Sequence, residues 1–146
     1  MTISLYETDF YAWTEAQVHL LKTQQWDGLD TVNLIEEVET LGRKERQELR
    51  NRLAILIGHL LKWQFQPAQQ SNSGLGTIRE QRLQLKLLLQ DSPSLKPYLE
   101  QALSDAYDLG VALTIRETEL NEQVFLEVCP FSLGQILELR FLPESK

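Results

Sequence analysis

The stretch NLIEEVETLGRKERQELRNRLAILIGHLLKW, Asn33 to Trp63, decides the fold. At 100° per residue, Leu34, Ile35, Val38 and Leu41 fall within an arc of about 120°, while Asn33, Glu36, Thr40 and Arg43 lie on the other side, which makes an amphipathic helix. Gly42 either ends that helix or only weakens it, and both readings stay open. From about Arg43 the pattern resumes on a widening apolar face of Leu49, Leu53, Leu56, Ile57, Leu60, Leu61 and Trp63. A helix of this kind is the core element, and Pro67 stops it by removing a donor and restricting the residue before it.

Helical signals continue on both sides. Thr14-Glu15-Ala16-Gln17 has the form of a capping box, so a first helix is expected near 14–24. Trp26 to Leu29 breaks it, and Asp30 N-caps the next helix. Pro67 to Gly76 is turn-rich and reads as a mobile loop, with Thr77 capping a fourth helix to about Gln90. Ser92 as N-cap and Pro93 at the first helical position open a fifth helix towards Glu119. In the tail, Val124 to Cys129 reads as a short extended run and Ser132 as the cap of a last helix, of which the helix is the better supported. The expectation is all-α, an irregular bundle of five or six helices forming a single domain over residues 1–146.

Composition narrows the function. A chain of 146 residues with 42% hydrophobic and 24% charged residues is globular rather than disordered. Its formal charge of −7 disfavours general binding to nucleic acid or to anionic membranes. Cys129 is the only cysteine, which excludes an intramolecular disulfide and a cysteine-rich zinc site and reads as a small buried hydrophobe in a reducing compartment. The start, MTISLYETDFYAW, lacks the basic and apolar regions of a signal peptide, and no run approaches about 18 apolar residues, so a soluble cytoplasmic chain is expected.

Phosphate-loop and dinucleotide glycine spacings, the hydrolase nucleophile elbow and the His-Glu-x-x-His zinc motif are all absent from the sequence. Two clusters remain. Glu36 and Glu39, three apart, share a helix face as paired oxygen ligands for magnesium or manganese do, and Asp105 and Asp108 match their spacing. Neither histidine completes a Glu-x-x-His pair, since the position three before His59 is Leu56 and the position three before His19 is Ala16. Glu39 and Arg43 also form an ordinary i, i+4 pair on a solvated face. The second cluster, Arg43 to Arg52, holds five cations against two acids and fits an acidic partner, a phosphate or a solvated face. His59 lies on the side of Arg52 and Lys62, which favours neutral imidazole. Tyr6, Phe10, Tyr11 and Trp13 read as a packed aromatic cap or a partner surface.

The blocks YETDFYAWTEAQVHLLK, NLIEEVETLGRKERQELRNRL and HLLKWQFQP, the SPSL turn at Ser92 to Leu95 and the pair Cys129-Pro130 resemble the bacterial family called domain of unknown function 29. The resemblance spans nearly the whole chain and implies a helical protein of this size, with no activity or catalytic residues to carry over. The expected function is therefore that of a small interaction or regulatory module, without catalysis or cofactor, meeting a protein partner or another copy of itself through Arg43, Arg46, Arg50, His59 and the N-terminal aromatics. The alternative is a divalent-metal hydrolase of phosphorylated small molecules or nucleotides, with Glu36 and Glu39 as magnesium or manganese ligands and Arg43 or His59 near the phosphate.

Overall fold

The structure, a computed structural model, describes residues 4–146. Six α-helices and several 3-10 turns make up its regular structure, and no strand occurs among the described residues. The chain is all-α, as its periodicity implies. It divides into two compact units, Met1–Lys44 and Glu45–Lys146, which share one helix.

In the first unit, α1 (Leu5–Thr8) is followed by α2 (Phe10–Lys22), so helix begins four residues before the expected Thr14. Asp9 supplies the cap, its carboxylate accepting the Ala12 amide at 3.1 Å. Without a Glu or Gln at N3, the Asp9 signal is weaker in sequence than the Thr14 box. Thr14 is instead mid-helix, donating to the Tyr11 carbonyl, and Gln17 turns inward to accept the Asp30 amide at 2.9 Å. The helix closes through Gln24, whose φ of 58° lies in the left-handed region. That closure lets Gln25 and Gln24 donate to the Leu20 and Leu21 carbonyls.

Asp30 caps α3 (Thr31–Phe65) as expected, taking both the amide and the side-chain amide of Asn33. α3 runs 35 residues without a break at Gly42. A Cβ added there meets nothing within 4 Å, so the glycine costs only its propensity, about 1 kcal/mol, and good helix formers surround it. The helix stops two residues before Pro67.

The second unit is built on the far half of α3. Leu49, Leu53, Leu56, Ile57, Leu60 and Leu61 are fully buried, each contributing roughly 1.5–3 kcal/mol. They pack with Ile78 and Leu85 of α4 (Asn72–Asp91), Ala102, Ala106 and Tyr107 of α5 (Leu99–Glu117), and Ile136 of α6 (Leu133–Leu137). α4 begins inside the expected loop, because Ser71 caps it by accepting the Gly74 amide at 3.1 Å. Gly76 has open space around it, so glycine breaks nothing in that first turn. Between α4 and α5 the segment Pro93–Tyr98 is 3-10 rather than α, and Ser92 makes no side-chain cap. Pro97 lacks an amide and disfavours α geometry at Lys96, which delays α5 to Leu99. In the tail a 3-10 turn spans Glu122–Val124 and residues 125–129, expected as an extended run, are bends and irregular backbone rather than strand, while Ser132 and Gln135 form a complete capping box on α6.

α3 and α5 meet at Gly58 and Gly110. A Cβ at Gly110 would lie 3.0 Å from the Ala54 carbonyl and 3.1 Å from the Gly58 amide, and Thr114 bonds the Gly110 carbonyl at 2.8 Å and the Gly58 carbonyl at 3.2 Å. Gly110→Ala is expected to lose about 2 kcal/mol despite its better helix propensity, while Gly42→Ala gains about 0.5–1 kcal/mol. Urea unfolding of the two variants checks the opposite signs.

Candidate functional site

Arg43 gathers the carboxylates of the first cluster. Its guanidinium lies 3.1 Å from Glu36 and 3.8 Å from Glu39, with a further bond to the Thr40 hydroxyl at 2.8 Å, and all three charged side chains are more than half exposed. Among the described residues no three His, Cys, Asp or Glu side chains converge as a metal site requires, and Asp105 and Asp108 are exposed on α5. The structure brings Glu36 and Glu39 together around a cation of their own helix.

The basic stretch is dispersed among neighbours. Arg46 stacks over the Tyr98 ring at 4.9 Å, Arg50 is half-buried, and Arg52 bonds Glu48 at 2.7 Å and Gln81 at 3.3 Å. His59 edges a small groove with Lys62, Gln70, Ser71 and Thr77. Its Nδ1 is buried without a hydrogen-bond partner. Burial, followed by the charge of Lys62, pulls its pKa below the ordinary 6.5. Lys62 itself pairs with Glu117 at 3.5 Å. Cys129 is half-buried, and burial pushes its thiol up.

The N-terminal aromatics divide by role. Trp13 is buried, meeting Tyr6 and Phe10 edge-on at 4.8 and 5.5 Å and donating its indole N–H to Asp30 at 2.9 Å. Tyr6 donates to Glu37, which holds its phenol up to about 12. Phe10 and Tyr11 remain 42% and 71% exposed.

One feature lies outside the expectations from sequence. Among the described residues of the first unit only Trp13 and Gln17 are buried, and the apolar arc of α3 is mostly uncovered, with Ile35, Val38 and Leu41 exposed by 59–64%. On α2, Phe10, Val18 and Leu21 are also exposed, within an arc of about 80°. Neither arc holds a charged residue between Phe10 and Lys22 or between Thr31 and Lys44. α2 and the start of α3 run antiparallel, Trp13 and Gln17 meeting Asp30 and Tyr6 meeting Glu37. Seen from its own N-terminus, each helix turns its apolar arc about 90° clockwise of the line of contact with the other. Both arcs therefore look out on the same side, as one uncharged face. Periodicity finds the stripe, but nothing in a stripe says whether its own chain covers it.

Residues 5–142 match the family model described as domain of unknown function DUF29. No curated protein and no solved structure matches the chain. No described helix is long and apolar enough to cross a membrane.

Two outcomes are expected of this geometry. Millimolar magnesium or manganese leaves the thermal midpoint unchanged, because an ion must first displace Arg43 from both carboxylates; a rise abolished by Glu36→Ala would restore these residues as ligands. Stability is also expected to fall as pH drops below 6.5. There the unfolded His59 binds a proton that the folded chain accepts only at lower pH, so the stability present above 6.5 is lost through the folded pKa. His59→Leu, which removes the orphaned nitrogen, flattens this acid-side slope in urea titrations from pH 8 to 5.

Proposed function

The chain belongs to the DUF29 family, whose description assigns no activity, and on its own geometry we propose that it is a non-catalytic interaction module whose first unit pairs with a second copy of the chain. The observation that carries this reading is the uncharged apolar face of α2 and α3. Ten of the nineteen large hydrophobic residues exposed on the described chain belong to Met1–Lys44, less than a third of its length. A helical unit of this size with two buried side chains among its described residues has little core of its own, and units this small are usually completed by a metal, a disulfide or association.

Area and symmetry favour a second copy. Phe10, Val18, Leu21, Ile35, Val38 and Leu41 together leave on the order of 500 Å² uncovered, close to the apolar share of the ~800 Å² that each partner of an ordinary interface buries. Two antiparallel helix pairs laid face to face make a four-helix bundle, the smallest arrangement that shields both stripes, and a two-fold axis lets one face serve both partners. The unit carries eight acids against three cations, and none of them falls within the apolar arc of α2 or of α3, so the face itself is uncharged and salt screens the charge around it. The basic residues Arg43, Arg46 and Arg50 take no part in the pairing.

Light scattering after size exclusion tests this. The full chain at tens of micromolar is expected to run as a dimer, and Val38→Asp as a monomer with an unchanged helical circular dichroism signal. Glu36→Gln, off the face, remains a dimer. A monomeric wild-type chain, or a Val38→Asp dimer, overturns the pairing.

A further inference from the structure

A second feature, in the other unit and independent of the pairing face, concerns Arg82. This side chain is 2% exposed and lies on α4 against the tail. Its Nε donates to the Ile136 carbonyl at 2.8 Å, Nη1 to Leu139 at 3.3 Å and Nη2 to Gln135 at 3.3 Å. The carbonyls lie at and just beyond the end of α6, whose last turn leaves such groups unpaired, so the guanidinium ties the tail to α4. Three acceptors leave two of its five N–H groups unused.

Its charge is also without a counter-ion. No carboxylate among the described residues lies within 4 Å of it, whereas Arg43, Arg52 and Lys62 all have acidic partners. Burial holds its pKa below the ordinary guanidinium value, and only the exposed Glu138 acts against that, from beyond ion-pair range. Buried charges are ordinarily paired, because carbonyl dipoles satisfy hydrogen bonds without neutralising the group.

Arg82 lines a cleft of about 340 Å³, within the size range of small-molecule sites. Lys86, one turn further along α4, and Lys96, in the 3-10 segment before α5, supply two more cations at its exposed rim. Leu89, Leu137 and Leu139 form its apolar wall, Gln90 completes the lining, and no acid is among these residues. Three cations therefore converge beside an apolar wall in a chain of net charge −7. Sequence could not find the set, because Arg82, Lys86 and Lys96 belong to no charge run and two of the three wall residues, Leu137 and Leu139, come from the distant tail.

We propose that this cleft binds a small amphipathic anion, its carboxylate or phosphate head between Arg82, Lys86 and Lys96 and its apolar body against Leu89, Leu137 and Leu139. The head supplies the counter-charge that Arg82 lacks, and the wall supplies what an inorganic ion cannot use. A medium-chain carboxylate is the simplest molecule of this class.

Thermal unfolding of the full chain with octanoate tests the site, confirmed by calorimetric titration. Octanoate at about ten times its Kd is expected to raise the midpoint by roughly 3–5 °C. Octanol, with the same tail and no charge, and inorganic phosphate, with charge and no tail, give no comparable rise. The double variant Lys86→Ala, Lys96→Ala, both exposed and away from the α6 contacts, is expected to fold as the wild type does and to lose at least tenfold in octanoate affinity. An equal rise with octanol overturns the anion requirement, an equal rise with phosphate overturns the apolar one, and binding that survives in the double variant, or no rise with octanoate, overturns the site. Octyl phosphate binding more tightly than octanoate supports the site and identifies the head as a phosphate ester.

Discussion

The contact between Gly58 and Gly110 governs the second unit. With hydrogen in place of Cβ on both residues, α3 and α5 approach until the Ala54 and Gly110 carbonyls and the Gly58 amide stand where side chains otherwise begin. Thr114 then bonds across the crossing to the Gly58 carbonyl. This close approach suits the short Ala102 and Ala106 of α5, which share one buried core with Leu49, Leu53 and Ala54 of α3. A wider crossing would demand larger residues at both alanines and would leave Thr114 with the carbonyl of its own helix alone.

Polar groups finish what the leucines begin. The Asp30 carboxylate accepts from the Trp13 indole and the Asn33 side chain, and its backbone amide donates to the Gln17 side chain, so one aspartate caps α3, holds the buried tryptophan and joins α2 to α3. The hydrogen bonds from Asn33 and Trp13 hold its carboxyl below the usual range. Arg82 does for the tail what Asp30 does for the first unit. In both places a charged side chain gathers backbone and side-chain groups from segments distant in sequence, where apolar packing alone would leave the register loose.

Much of this was legible in the sequence. The core positions from Leu49 to Leu61, the Asp30 cap, the stop before Pro67 and the capping box at Ser132 all follow from periodicity and local hydrogen bonding, which act over a few residues. The misplaced starts of α2 and α4 are competitions between caps: Asp9 and Ser71 act earlier than the more conspicuous Thr14 and Thr77. The exposure of Ile35, Val38 and Leu41 was not legible, because the same stripe serves a core or an interface equally well. Nor was the assembly around Arg82, which depends on the tail folding back across α4. The carboxylates of Glu36 and Glu39 are the converse case: their shared face was foreseeable, and so was the Arg43 that occupies it.

α3 also changes what the boundary between the units means. Where two compact units adjoin, the connecting chain is ordinarily an extended, unpaired segment that a protease can thread into its cleft. Here Gly42 to Glu48 is exposed on every residue, yet each lies inside one continuous helix whose amides and carbonyls bond along the axis. A nick at this point requires several turns to unwind first, so susceptibility to cleavage tracks local helix opening rather than surface exposure. Gly42, which weakens the helix without breaking it, is where that opening costs least.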